Sequence, residues 1–237
     1  MIDKHFTDKS INFAEGETIL FDKPLIWSSF DVIRKIKSVV RIKKIGHAGT
    51  LDPLATGLMI LCTGKKTKQI ESYQHSPKAY QGTMKLGATT LSYDLETVVH
   101  QTFPTEHITT DEIYEKLPLF TGEILQMPPS FSAIKSGGQR LYQLAKRGKE
   151  IKTEARKVNI HEFRILNINM PFVTFYVECS KGTYIRSLVH DFGKSLNSGA
   201  FLTDLRRLKI GNYCVDDAIN FADFINIINS AENIVLE

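Results

Sequence analysis

Residues 46–64 read GHAGTLDPLATGLMILCTG. Gly46-His47-Ala48-Gly49-Thr50-Leu51-Asp52-Pro53-Leu54-Ala55-Thr56-Gly57 holds three glycines, one proline and no hydrophobic period, which predicts a loop over 46–57. The loop runs directly into Leu58-Met59-Ile60-Leu61-Cys62, an unbroken apolar run that predicts a fully buried strand. A loop carried by a rigid strand is a usual place for chemistry. This one supplies one carboxylate (Asp52), one imidazole (His47) and two hydroxyls. It supplies no second carboxylate and no thiol, which locally excludes a glycosidase carboxylate pair and a cysteine nucleophile. Taken singly, Asp52 before Pro53 reads as an Asx-turn and His47 as a hydrogen-bonded loop histidine. The twelve residues together are far more specific. Gly64-Lys65-Lys66-Thr67 ends like a P-loop, but Met59 stands where the first glycine is required, so triphosphate binding is rejected. Thr63 is instead expected to cap a helix.

Upstream, Thr18 to Phe21 predicts a short strand ending at Asp22-Lys23-Pro24, since proline cannot donate to a ladder. Ser28 or Ser29 is expected to cap a helix starting near Phe30. Phe30, Ile33, Ile36 and Val40 follow helical spacing and form its expected core face. Arg34, Lys37 and Arg41 fall on another face as a basic stripe, and no acid lies between Arg34 and Lys44.

Downstream, Lys78 to Thr89 predicts a strand with Tyr80, Gly82, Met84 and Leu86 on one face, and Lys78 and Lys85 keeping it basic. A short capped helix from Thr109 and a strand over Gly122–Leu125 follow. Residues 127–152 hold two prolines and two glycines with Arg140, Lys146 and Arg147, and read as a basic excursion from the main sheet. Phe172 to Cys179 alternates as a strand. Thr183 is expected to cap the next helix, with Ile185, Leu188, Val189 and Phe192 as its core stripe and Gly193 as its stop. Arg186 in the first turn is unfavourable for the helix dipole and is expected to have an anionic partner. In the strand containing Leu205-Arg206-Arg207-Leu208, Leu205 points opposite to Arg206.

The 237 residues allow one large or two small domains, and the composition, 42% hydrophobic and 24% charged, is that of a globular protein. Three cysteines without a CxxC pair support neither a zinc ribbon nor a disulfide framework. No signal peptide or membrane-length apolar run is present, so a cytoplasmic protein is expected. A net charge of +4 permits a polyanionic partner without establishing one. Interleaved strands and helices with short connections predict an α+β fold, with a mixed, mostly antiparallel sheet flanked by helices and loops.

The segment Gly46–Gly64 closely resembles the catalytic motif of the TruB family of tRNA pseudouridine synthases. Lys23-Pro24, Lys78-Ala79-Tyr80, Met127-Pro128-Pro129, Cys179 through Arg186, and Leu205-Arg206-Arg207-Leu208 resemble further family segments in the same order. The resemblance implies the pseudouridine synthase fold and isomerisation of the uridine at position 55 in the TΨC loop of tRNA. It implies no metal and no cofactor. It implies Asp52 as the catalytic aspartate, acting as nucleophile or by proton abstraction. It further implies His47 supporting the RNA, Tyr80 stacking on the flipped base, Arg186 pairing with Asp52, Tyr184 and Leu205 lining the pocket, and Lys23 and Pro24 shaping its floor. Arg34, Lys37, Arg41, Arg140, Lys146 and Arg147 are expected on the RNA backbone.

Many relatives have glycine where this chain has Ile26, so its turn is expected to differ. Residues 88–94 follow the family only loosely. The catalytic domain is expected over 1–213. A short tail is expected over 214–237, too short for the PUA domain that many bacterial members carry. The expected partner is the tRNA T-arm, with no guide RNA, obligate protein partner or membrane. The alternative reading is a catalytically silent RNA-binding or tRNA-folding module of the same fold.

Overall fold

A computed structural model describes residues 1–131, 135–136, 139–140 and 154–236. In chain order the elements are β1 (Ser10–Asn12), β2 (Thr18–Lys23), α1 (Ser29–Val40), β3 (Ile45–His47), β4 (Ala55–Thr63), α2 (Ile70–His75), β5 (Lys78–Leu86), β6 (Ala88–Thr90) and β7 (Val99–Thr102). Then come α3 (Thr110–Lys116), β8 (Gly122–Gln126), β9 (Lys135–Ser136), β10 (Gln139–Arg140), β11 (Arg156–Asn169), β12 (Phe172–Cys179) and α4 (Ile185–Ser195). The chain closes with β13 (Ala200–Ile210), β14 (Tyr213–Cys214), α5 (Phe221–Ser230) and β15 (Asn233–Val235). The fold is α+β, as the sequence predicts. Two compact units form: Met1–Tyr80 with Arg206–Glu237, and Gln81–Leu205.

In the first unit β2, β4 and the C-terminal part of β13 lie side by side, with β3 on β4 and β14 on β13. β2 and β3 both pair antiparallel with β4, whereas β1 pairs parallel with β15. The apolar run in β4 is buried throughout, and Leu58, Ile60 and Cys62 pack with Leu20, Ile210 and Val215. Helix α1 starts where expected. Ser28 is its N-cap and exchanges hydrogen bonds with Asp31 in a capping box. The core face is Val32, Ile33, Ile36 and Val40. Phe30 is a correction: it is 71% exposed, because Val32 occupies the inward position in that first turn.

The loop is shorter than predicted. Ile45–His47 is β3, and β4 begins at Ala55, so only Ala48–Leu54 lies outside the ladder. Gly57 sits in β4 at φ 105°, where a Cβ would stand 2.3 Å from the Arg207 carbonyl oxygen. Glycine here marks close approach of two strands, which loop-like composition conceals. Thr63 precedes a 3-10 turn without a capping hydrogen bond. Its hydroxyl accepts from the Glu17 amide at 2.7 Å instead. Lys78 does not make β5 a basic surface. It is buried, and its ammonium donates to the carbonyls of Tyr73, Gln74 and Ser76 at the end of α2.

In the second unit the order is the N-terminal part of β13, then β5, β12, β11 and β8. β11 pairs antiparallel with both β12 and β8. Phe163 and Phe192 meet edge to face at 5.5 Å, joining β11 to the apolar face of α4. Two expectations for α4 are corrected. Thr183 is not its cap: the N-cap position is Tyr184, and the Thr183 hydroxyl donates to the Ser180 carbonyl. Gly193 does not end the helix, which continues to Ser195. A Cβ at Gly193 would lie 2.4 Å from the Ala200 amide, so glycine serves close packing here. The chain turns at Asn197, with φ 51°. Among the described residues no helix is long and apolar enough to cross a membrane.

Candidate active site

Asp52 is half-buried on a loop whose backbone is held at every carbonyl from Gly49 to Pro53. Arg207 Nη2 donates to the Gly49 carbonyl at 3.1 Å and Nη1 to that of Thr50 at 3.5 Å. The Ser29 hydroxyl donates to the Leu51 carbonyl at 2.9 Å and accepts from the Leu51 amide at 2.8 Å. The Asp52 carbonyl accepts from the Ala55 amide at 3.1 Å. The Pro53 carbonyl accepts from the Ile26 amide at 2.8 Å and from Lys23 Nζ at 3.4 Å. A buried carbonyl left unmatched is costly, and here each match also removes a freedom from the carboxylate's backbone.

Two cations lie buried beneath this loop. Lys23 is fully buried at the end of β2, with Nζ donating to the carbonyls of Pro24 at 2.9 Å and Trp27 at 2.5 Å as well. Burial pushes its pKa down to about 8; the Asp52 charge opposes that shift, and the Arg207 charge adds to it. Arg207 is 1% exposed, and its Nε donates to the Leu58 carbonyl at 2.7 Å. His47 ends β3 and is half-buried; desolvation, with help from Arg207, holds its imidazole below the usual pKa and therefore neutral at pH 7.

Pro24 is exposed beside buried Lys23. Ile26 adopts φ 74°, the left-handed conformation that glycine prefers and that is strained for a β-branched residue. Tyr80 is in the first unit, on β5, and 9% exposed. Arg34, Lys37 and Arg41 are exposed, with Arg34 ion-paired to Asp31 and Arg41 ending α1 at φ 49°. Lys146 and Arg147 lie outside the described residues; Arg140 is in β10, and only its backbone is described.

The second unit holds Tyr184, Arg186 and Leu205. Gln126, itself buried in β8, grips both main-chain groups of Tyr184: Nε2 donates to its carbonyl at 3.0 Å and Oε1 accepts from its amide at 2.7 Å. Arg186 is 4% exposed. Its Nη1 donates to the Ser92 carbonyl and Nη2 to that of Phe131, both at 2.9 Å, and Nε lies 3.7 Å from Asp94 Oδ2. Asp94 is a carboxylate partner of the kind the helix position called for. Leu205 is buried on β13.

The sequence assigns Arg207, Ser29 and Gln126 no role at the site. Arg207 carried a readable signal: in a strand it shares the face of buried Leu205, two residues away. Gln126 carried none, because nothing local distinguishes an amide at the end of a strand that holds a distant backbone from one that does not.

The model of the TruB family pseudouridylate synthase N-terminal domain matches residues 37–185. The chain belongs to the TruB family. A protein of Flavobacterium johnsoniae named tRNA pseudouridine synthase B is 56% identical over 219 residues, which cover 90% of this chain and 96% of that protein. A protein of Phocaeicola vulgatus with the same name is 50% identical over 220 residues, covering 90% and 94%. Among solved structures, a chain of a Cbf5–Nop10–Gar1 complex superposes with a TM-score of 0.69 at 27% identity. That match covers 90% of this chain and 54% of the longer one, so this TruB chain spans about half of it. The TruB match includes the Asp52 loop, Tyr80 and Tyr184.

Proposed function

We propose that this TruB-family enzyme isomerises the uridine at position 55 in the T-loop of tRNA. The observation that carries the reading is the 56% identity to a tRNA pseudouridine synthase B along nearly the whole of both chains. In the reaction the bond between N1 of uracil and C1′ of ribose breaks, the base turns, and C5 bonds to C1′. The proton on C5 is lost and N1 gains one, so no atom is gained or lost. Asp52 is the catalytic carboxylate. The held loop supports that role, because a reacting group fixed before the substrate arrives loses less entropy on reaching the reactive geometry. A base must leave its stack to be reached, at a cost of a few kcal/mol. Stacking on Tyr80 recovers roughly 1–3 kcal/mol of that cost. Neutral His47 contacts the RNA without adding charge to the loop. Pro24 borders the site over Lys23, and Tyr184, Arg186 and Leu205 bind substrate. The exposed stripe Arg34, Lys37 and Arg41 meets phosphates of the T-arm. The partner is tRNA without a guide RNA, and the setting is the cytoplasm.

The test is to incubate the purified protein with unmodified tRNA and map pseudouridine by position. Conversion of one T-loop uridine is expected. Binding of tRNA with no conversion would favour the silent RNA-binding module.

A further inference from the structure

A buried guanidinium is costly in a protein interior, and one hydrogen-bonded to neutral carbonyls gains less than one facing a carboxylate. Among the described residues, the three hydrogen bonds of Arg207 end on main-chain carbonyls. For stability alone, an apolar side chain of similar volume would serve at least as well. The placement of its donors is therefore informative. One bond holds β4 at Leu58, while the fork reaches beyond the ladder to Gly49 and Thr50, the third and second residues before Asp52. The strand that carries Arg207 is brought against β4 at Gly57, where no Cβ fits. On the other side of the loop Ser29, 3% exposed, holds both main-chain groups of Leu51, the residue adjoining Asp52.

We infer that Arg207 and Ser29 are positioning residues that set the Asp52 carboxylate for reaction by clamping the backbone of residues 49–51 between them. The inference rests on the reading of Asp52 as the catalytic group. Neither side chain touches substrate; each acts through the loop. A planar fork is needed because two successive carbonyls are held at once, so lysine is a poor substitute.

The test uses Arg207→Met, Arg207→Lys and Ser29→Ala in the full chain, each assayed for tRNA affinity, single-turnover rate and amide hydrogen exchange. A misplacement of about 1 Å costs on the order of 100-fold in rate, so Arg207→Met is expected to lose about that much with tRNA affinity nearly unchanged. Arg207→Lys is expected to recover about tenfold of it by reaching one carbonyl. Ser29→Ala keeps the Ser28 cap and is expected to fold and lose about tenfold in rate. The amides of Leu51 and Ala55 should exchange faster in each variant, while those of β2 and β4 keep their protection. A folded Arg207→Met variant with wild-type rate would overturn the inference, as would a rate loss matched by lost tRNA affinity. If Arg207→Met does not fold, unchanged turnover in Ser29→Ala overturns it alone. Failure of the wild-type protein to form pseudouridine would strike the underlying reading instead, which keeps the two failures distinct.

Discussion

Lys23 donates from Nζ to the carbonyl of Pro53 at 3.4 Å, so a buried ammonium supports the backbone directly after Asp52. The same group titrates at about 8 in the fold, against 10.5 in its ordinary state. The fold therefore disfavours the charged form, and the unfolded chain binds this proton more tightly. Stability from Lys23 is lowest below pH 8 and rises with pH through the window from 8 to 10.5. Between pH 8 and 9 the wild type should gain about 1 kcal/mol over Lys23→Met in denaturant unfolding. Turnover should move the other way, falling above pH 8 as the carbonyls lose their cation. Parallel stability curves for the two proteins would refute the assignment.

A second pH effect belongs to the Gln81–Leu205 unit. His190 is buried on α4, stacked on Tyr93 with ring centroids 3.8 Å apart, and its pKa falls to about 4 through desolvation and the nearby Lys194 charge. Half-buried Asp191, next along α4, has its carboxyl raised by burial. The unfolded chain takes up this proton first, so stability present above pH 6.5 is lost as pH falls toward 4. The loss attributable to His190 is at most about 3 kcal/mol. His190→Phe should keep the stack and flatten that part of the acid unfolding curve.

Ile26 is 74% exposed and holds φ 74°. A β-branched residue pays about 1–2 kcal/mol in this conformation, and glycine returns about 0.5–1 kcal/mol in unfolded-state entropy. Ile26→Gly should therefore stabilise the protein by several tenths of a kcal/mol to about 1 kcal/mol, read as a rise in the unfolding midpoint. Destabilisation would mean that the exposed side chain makes a contact worth more than the strain.

If the exposed stripe on α1 meets tRNA phosphates, as proposed, binding should depend on salt through it. Each phosphate neutralised contributes about 0.7–0.9 to the slope of log affinity against log salt. Replacing Lys37 and Arg41 with glutamine should flatten that slope by roughly one to two units, with turnover at saturating tRNA retained. An unchanged slope would return the stripe to the role of a solvated helix face.

Much of the fold was legible because its signals are local. The apolar run 58–62, the Ser28 cap and the alternation over 172–179 each depend on neighbours in sequence. The misreadings at Gly57 and Gly193 share one cause. Glycine marks a turn in sequence, yet at both places it admits a distant backbone, Arg207 or Ala200, that no local pattern encodes. The candidate site divides the same way. Asp52 and Lys23 stand in recognisable strings, whereas the clamp on their loop comes from Ser29 and Arg207, 22 and 157 residues from the groups they hold. Phe30 shows the limit of periodicity, since the first turn of a helix can satisfy the pattern and still face solvent.

On the proposed mechanism Asp52, fixed on its held loop, performs the chemistry. The most direct measurement is single-turnover pseudouridine formation by Asp52→Asn on a T-arm RNA, with binding of the same RNA measured in parallel. Asparagine keeps the size of the side chain and removes its charge and its basicity. No product above background is expected, with RNA affinity within a few-fold of wild type. Product formation near the wild-type rate would contradict it.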